Sequence, residues 1–400
     1  MKTLTKNNTH LHQDQILNHW LYAALLGNHP IAVWRRPDSH EVEIIVDSSG
    51  SIKRLIPELE QLPKGFIVHP FADQSDEKAY FLEASKHIKF SLRPDLSENE
   101  EIELPEISID PKTLNLAIKP LLNEAIENQG RSLQASTTME DFEELVKKGM
   151  ALIKEGVMSK FVPARTIIQG LPEDFDLAKT FLNLCQEYPK AFVNFFHIPK
   201  VGSWIGATPE TLICTKGKYF QTMALAGTQP AIGPDPLANA GWRQKEIAEQ
   251  ALVSRYIVNN FKKIRLREYK EIGPKTVQAG SLLHLRSDFE VDMEATNFPQ
   301  LGSVMLKLLH PTSAVCGSPR QEAMEFLAQY ETFDRSFFAG YLGPVNIEDQ
   351  TTIYVNLRTA QLQGDHVILY AGAGVTEDSV PEKEWEETSL KCNIIGKFFQ

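Results

Sequence analysis

Two short turns constrain this chain more than any other feature. At Lys216-Gly217-Lys218 the run Glu210 to Thr215 reverses and returns as Tyr219 to Thr228, and at Gln363-Gly364-Asp365 the run Thr351 to Leu362 returns as His366 to Ala371. Turns this short join antiparallel strands, because parallel neighbours need a long crossover. Counting outward from Gly217, Glu210 falls opposite Ala224 to Ala226, so its carboxylate meets the Ala226-Gly227-Thr228 loop at one end of the hairpin. The same count from Gly364 sets Arg358 across from Tyr370, beside the glycine-rich turn Ala371-Gly372-Ala373-Gly374.

That turn runs into an acidic helical segment, Pro381 to Lys391, in which Glu384, Glu387 and Lys391 project from one face. Glycines let backbone N–H groups approach an anion without a Cβ in the way. A second amphipathic helix, roughly Pro236 to Lys263, places Glu246 and Glu249 on one face. Two helices each offering a carboxylate pair could serve a magnesium ion, which takes oxygen ligands and keeps waters. The same residues also fit solvated helices with a Glu–Lys pair worth a few tenths of a kcal/mol. Elsewhere Glu140 to Ile153 reads as a helix, Lys160 to Gln169 as a strand that Pro163 places at an edge or bulge, Phe175 to Glu187 as a helix and Ala191 to Ile198 as a strand. Leu309 to Thr312 and Gly317 to Arg320 read as rigid turns, and Arg335 as a buried ion-pair partner.

Composition narrows the partners. With 400 residues, 42% hydrophobic and 23% charged, the chain can bury a large core as one domain or two. A net charge of −11 argues against nucleic acid, whose phosphates are met by clustered Lys and Arg. Cys185, Cys214, Cys316 and Cys392 lie far apart, without the spacing of a zinc site or a disulfide framework. Met1 to Gln15 is polar, and no window approaches the roughly 20 apolar residues of a membrane helix. These features set the expectation of a cytoplasmic protein that binds neither membrane nor nucleic acid. Residues 91–112 and 129–138 are polar intervals, after which the turn signals and motifs become denser.

From about Phe142 onward the motifs occur in one order: Lys160 to Arg165, Gly206-Ala207-Thr208-Pro209-Glu210, Leu225 to Thr228, Lys245-Glu246-x-x-Glu249, His284-Leu285, Leu309-His310-Pro311-Thr312, Arg335-x-x-x-Ala339-Gly340, Tyr370 to Gly374 and Glu384-Trp385-x-Glu387-Thr388. In these the chain resembles the chorismate-utilising enzymes, a family that includes isochorismate, salicylate, anthranilate and aminodeoxychorismate synthases. The resemblance implies an α+β fold: two orthogonally packed antiparallel sheets covered by helices in four αββα layers, as in anthranilate synthase component I. It implies one domain over 1–400, in which a divergent part, 1–138, completes the fold of the motif-bearing part, 139–400.

It further implies Mg²⁺ and the dicarboxylate chorismate. Glu249 and Glu387 match direct metal ligands, and Glu246 and Glu384 match positions acting through coordinated water. Arg358, Gly372, Ala373, Gly374 and Lys391 match positions that hold substrate carboxylates, with Thr228 and Tyr370 nearby and His284 as a further wall. Lys160 matches the general base that activates water, a position that is glutamine in anthranilate synthases, and Glu210 the general acid. Ala226 stands where aminodeoxychorismate synthases carry a nucleophilic lysine. The implied activity is isochorismate synthesis by water addition at carbon 2 and loss of the 4-hydroxyl, feeding menaquinone or siderophore biosynthesis. Salicylate synthesis, the same step followed by pyruvate elimination, and a catalytically silent chorismate-binding subunit are the alternatives. A monomer without a glutaminase subunit is expected.

Overall fold

The computed structural model describes residues 12–72, 78–93, 102–108, 110, 113–127 and 135–400, the side chains of 123–127 excepted. Parts of the amino terminus and of the two polar intervals, 1–11, 94–101, 109, 111–112 and 128–134, lie outside the described residues. One sheet has eight strands, in the spatial order Lys86–Ser91 (β6), Glu41–Val46 (β2), Ile31–Arg35 (β1), Phe192–Ile198 (β9), Gly202–Thr208 (β10), Thr359–Gln363 (β18), His366–Gly372 (β19) and Ala164–Gly170 (β8). The other has nine: Lys270–Ala279 (β13), Leu282–Asp292 (β14), Tyr219–Pro230 (β12), Thr211–Lys216 (β11), Gln350–Val355 (β17), Tyr341–Val345 (β16), Gly65–His69 (β4), Ala79–Glu83 (β5) and Lys53–Leu55 (β3). A small ribbon pairs Gly317–Ser318 (β15) with Lys160–Phe161 (β7). Both large sheets pair antiparallel throughout, as the turn chemistry requires.

Apolar side chains from both sheets meet in one core. Phe192 of β9 stacks on Tyr354 of β17 with ring centroids 4.0 Å apart, and Trp34 of β1 meets Phe66 of β4 at 5.3 Å. Pairs of this kind add roughly 0.5–1.5 kcal/mol beyond the area they bury. The far face of the eight-stranded sheet carries a second core with helices Gln13–Leu26 (α1), Leu114–Glu127 (α2), Leu177–Glu187 (α4) and Pro381–Gly396 (α8). Gln244–Lys263 (α5) lies on β12, and Leu301–Leu309 (α6) on β11. Residues 12–93 supply three strands to each sheet, so the divergent part and the motif-bearing part share both cores.

The first hairpin has the expected register, with Lys216 opposite Tyr219 and Cys214 opposite Gln221. Its returning strand bulges between Ala226 and Gln229, which swings Gly227, at φ +72°, and Thr228 out of the ladder. The second hairpin needs a correction. Residues 351–362 are two strands in different sheets, β17 and β18, and the chain crosses between the sheets at Asn356-Leu357-Arg358. Asn356 fixes the crossing: its N–H donates to the Gly340 carbonyl at 2.9 Å and its Nδ2 to the Phe337 carbonyl at 2.9 Å. Arg358 therefore lies just outside β18 at φ +48°, level with Ala371 rather than Tyr370. The α5 helix begins at Gln244, not Pro236, because the Glu246 side chain accepts from the Arg243 backbone N–H at 3.0 Å and caps the helix there. Pro163 interrupts its strand as expected, leaving β7 and then β8 at the sheet edge.

Met139–Lys154 (α3) is capped by Thr138, whose Oγ1 accepts from Asp141 N at 3.1 Å. Its Gly149 lies directly on Phe161, and a Cβ there would sit 2.0 Å from the ring. Phe161 has no room to yield, being fully buried and edge-on to Phe326 of Arg320–Tyr330 (α7) at 5.0 Å. Gly149→Ala gains about 1 kcal/mol of helix propensity, but overpacking of this kind costs roughly 1–3 kcal/mol. The variant should therefore unfold at lower urea than the parent; an unchanged or higher midpoint would show that Phe161 moves aside freely.

Candidate active site

The β10–β11 corner, the β12 bulge, α5, the β17–β18 crossing, the end of β19 and Lys391 of α8 converge on a pocket of about 690 Å³ including its mouth. Of the residues singled out in the sequence, Glu210, Thr228, Glu249, His284, Arg358, Tyr370, Gly372, Gly374 and Lys391 line it. Lys160 and Ala373 are fully buried behind this lining, and Glu246, Glu384 and Glu387 stand outside it.

Three lining groups have unusual states. Glu210 is 4% exposed, and its carboxyl makes no hydrogen bond among the described residues. Burial pushes it up to about 7, against the opposing pull of Lys160, Arg358 and Lys391. The His284 Nδ1–H donates to the Gly227 carbonyl at 2.9 Å, which leaves Nε2 as a buried acceptor without a partner. Burial, with Arg358 nearby, holds this imidazole down to about 3, so it is neutral. The Arg358 guanidinium forms no hydrogen bond or ion pair among the described residues, and burial lowers it only to about 10. A cation without a carboxylate in a pocket of this size is suited to an anionic ligand.

Lys160 has no exposed surface, and its Nζ donates to Glu249 Oε1 at 2.8 Å. Burial raises Glu249, but Lys160, Lys391 and Lys245 together outweigh that and hold its carboxylate below the usual range. Gly374 lets the backbone lie directly against the pair: a Cβ there would sit 2.2 Å from Glu249 Oε1 and 3.2 Å from Lys160 Cε. The expectation that Gly372 to Gly374 offer a run of bare amides is corrected at Ala373, whose N–H donates to the Pro163 carbonyl at 3.2 Å. Gly372 belongs to β19, paired opposite Ala164, and its carbonyl accepts from Lys391 Nζ at 2.9 Å. Because Ala373 and Pro163 form a hydrogen-bonded pair, Gly372 and Ala164 form a non-hydrogen-bonded one, with the Ala164 N–H donating to Glu331 instead, so the N–H groups of both Gly372 and Gly374 remain outside this ladder. The glycines here provide close approach, and neither has a positive φ.

The four glutamates are held mainly by lysines. Glu387 pairs with Lys391 at 2.6 Å and Glu384 with Lys245 at 2.5 Å, while Glu246 caps α5. Among the described residues no three acidic, histidine or cysteine side chains are already gathered round a metal position. The donor set nevertheless fits a hard divalent cation: it is all carboxylate, it comes from α5 and α8, and its charges are balanced by ammoniums that such an ion could replace. Tyr370 stacks between Trp204 at 5.2 Å and Phe338 at 5.5 Å, with its hydroxyl donating to Gln361 Oε1 at 3.1 Å. Arg335 is the buried ion-pair partner expected, bidentate to Glu331 at 2.6 and 2.7 Å, and it also reaches the pocket wall. The apolar lining from Val162, Leu225, Val315, Phe338 and Leu357 carries no sequence signal that separates it from core. Lys245 was legible only as the residue before Glu246 in the helical motif.

Residues 96–399 match the family model described as chorismate binding enzyme. The vibriobactin-specific isochorismate synthase of Vibrio cholerae is 26% identical over 341 residues, covering 82% of this chain and 84% of that one. Isochorismate synthase EntC of Escherichia coli is 30% identical over 274 residues, 66% of this chain and 68% of that one. In fold, the chain superposes on MenF, the menaquinone-specific isochorismate synthase from Escherichia coli, with a TM-score of 0.72 at 20% identity, over 98% of this chain and 92% of that one.

Glu210 generates a stability prediction. Its folded pKa, about 7, lies above the ordinary 4.5, so its contribution is fully present below pH 4.5 and is lost as pH rises through about 7. The loss is on the order of 3 kcal/mol. Glu210→Gln, which cannot ionise, should gain thermal stability relative to the parent between pH 6 and 8.5 in parallel melts. A difference that stays constant across that range would mean that Glu210 does not titrate there.

Proposed function

The chain belongs to the chorismate-binding enzyme family, and on that premise we propose that it is an isochorismate synthase. Water adds to ring carbon 2 of chorismate, the ring double bonds shift, and the 4-hydroxyl departs as water once protonated, so the product is an isomer of the substrate. The observation that carries this reading is Glu210: a pocket carboxyl raised to about 7 retains its proton in a large share of molecules near neutral pH, where an ordinary carboxyl has lost it, and can give it to a leaving hydroxyl. Lys160 is the base that takes the proton of the incoming water, and its approach to the pocket is past Gly374. To act, it must leave Glu249, which now holds it at 2.8 Å.

Arg358, Lys391 and the N–H groups of Gly372 and Gly374 hold the substrate carboxylates. The neutral His284 offers Nε2 as an acceptor for a ring hydroxyl, beside Thr228, whose Oγ1 is 3.4 Å from Nδ1. Tyr370 and Phe338 supply an apolar wall. We assign Mg²⁺ to Glu249 and Glu387 directly, with Glu246 and Glu384 acting through water; bound there, it would hold and neutralise the ring carboxylate. Ala226 leaves no amine to attack carbon 2, which favours water as the nucleophile.

Purified protein given chorismate and Mg²⁺ should yield a stable chorismate and isochorismate mixture by chromatography, with little pyruvate in a coupled lactate dehydrogenase assay. Chelation should stop turnover and added Mg²⁺ should restore it. Pyruvate formed as fast as chorismate disappears would instead identify a salicylate synthase, and no turnover would identify a binding subunit. Lys160→Ala should lower kcat roughly 10²-fold or more with chorismate binding little changed. Weakened binding with kcat preserved would make Lys160 a substrate clamp.

A further inference from the structure

Lys245 has no part in the chemistry proposed above, yet it sits within the carboxylate cluster. It occupies the first turn of α5, with its side chain 25% exposed and Nζ 2.5 Å from Glu384 Oε1. Glu384, in the first turn of α8, is 1% exposed. Among the described residues this is the only side-chain hydrogen bond or ion pair that joins α5 to α8. The Lys245 ammonium, desolvated by burial, is sustained by Glu384, Glu387 and Glu249, three of the four carboxylates assigned to Mg²⁺. Without it Glu384 would be a buried anion facing Glu387, and removing one member of a buried pair is costly.

An ammonium and a metal-bound water compete for the same Glu384 oxygens. The lysine can yield them: its charge is compact, its stem is flexible, and a quarter of the side chain already reaches solvent. We propose that Lys245 is an internal counter-ion that draws α8 to α5 in the metal-free protein and releases Glu384 to the metal site, so that it sets the threshold for Mg²⁺ binding. This rests on the Mg²⁺ assignment above. A lysine that served only as a permanent clasp would behave oppositely, because its loss would loosen the two helices and weaken the metal site.

The test is calorimetric titration of MgCl₂ into chelator-stripped, full-length protein without substrate. Lys245→Met should bind Mg²⁺ about tenfold more tightly than the parent, equivalent to ~1.4 kcal/mol. Lys383→Met removes an equal charge from the exposed position beside Glu384 and should shift the affinity less than about twofold. In EDTA the melting temperature of Lys245→Met should fall below that of the parent, and the gap should close at saturating Mg²⁺. Lys245→Gln should show the same pattern and replaces the Met variant if that one fails to fold. Mg²⁺ affinity in the Lys245 variants that is unchanged, weaker or no different from that of Lys383→Met overturns the counter-ion role alone. A parent protein that takes up no Mg²⁺ overturns the metal assignment together with it.

Discussion

The site depends on one buried ion pair, Lys160 with Glu249. The lysine comes from a two-residue strand with no exposed side-chain surface, and its partner from a helix 89 residues further along the chain. Breaking such a pair by displacing one member costs about 3–5 kcal/mol. Everything that aligns the two is therefore under constraint: the β15–β7 ribbon that carries Lys160, the packing of α5 on β12, and the turn at Gly374 that clears both groups. Arg335 and Glu331 reinforce the same region, since Arg335 bonds the Val162 carbonyl at 2.6 Å and Glu331 accepts from the Ala164 N–H at 2.9 Å. A packing defect under Phe161 would thus be transmitted to the preceding residue, Lys160, through the backbone.

Around this pair, two carboxyls in one pocket are driven to opposite states. Glu249 meets Lys160 and stays ionised, whereas the Glu210 carboxyl has no hydrogen-bonded partner among the described residues and burial outweighs the field of the same cations. Their separation follows from contact, because a lysine in direct contact offsets desolvation and one at a distance does not. That is how one pocket can present an acid and an anion at neutral pH. The β12 bulge contributes in the same way. By turning the Gly227 carbonyl to His284 it fixes the imidazole tautomer and leaves the acceptor nitrogen for a ligand.

Much of this was legible because short turns fix register. Counting from Gly217 was enough to bring Glu210 to the Ala226-Gly227-Thr228 loop, and helical spacing was enough to place Glu384, Glu387 and Lys391 on one face. The second hairpin resisted the same count. Ile353, Val355 and Leu357 keep one apolar alternation past the end of β17, and it resumes at Ala360 and Leu362 with only Arg358 and Thr359 between, too short an interval to read as a crossing between sheets. The signal lay in Asn356, whose side chain binds backbone, and in the left-handed Arg358, neither visible as a turn. At Ala373 glycine neighbours suggested free amides, but the competing acceptor, Pro163, is remote in sequence. Lys160 and Lys245, the partners of Glu249 and Glu384, were hidden for the same reason, whereas Lys391, four residues after Glu387 on the same helix, was legible. Pairing across elements depends on tertiary placement, which periodicity does not encode.

The balance of charge links the pocket to its proposed ligands. Lys160, Lys245, Lys391 and Arg358 face Glu246, Glu249, Glu384 and Glu387, so with Glu210 protonated the site as it stands is neutral. A dicarboxylate entering it would bring two uncompensated negative charges into a low-dielectric cavity, which is unfavourable by several kcal/mol per ion. A divalent cation held by the same glutamates would supply two positive charges, matching that deficit, while Lys160 and Lys391, released from Glu249 and Glu387, would become available to the water and the substrate. Ionisation of Glu210 would undo the match and remove the proton needed by the leaving hydroxyl. Metal occupancy, the protonated acid and the proposed dianionic substrate would therefore be electrostatically interdependent, and the acidic net charge of the whole chain would matter little beside these contacts, since distant surface charges are screened.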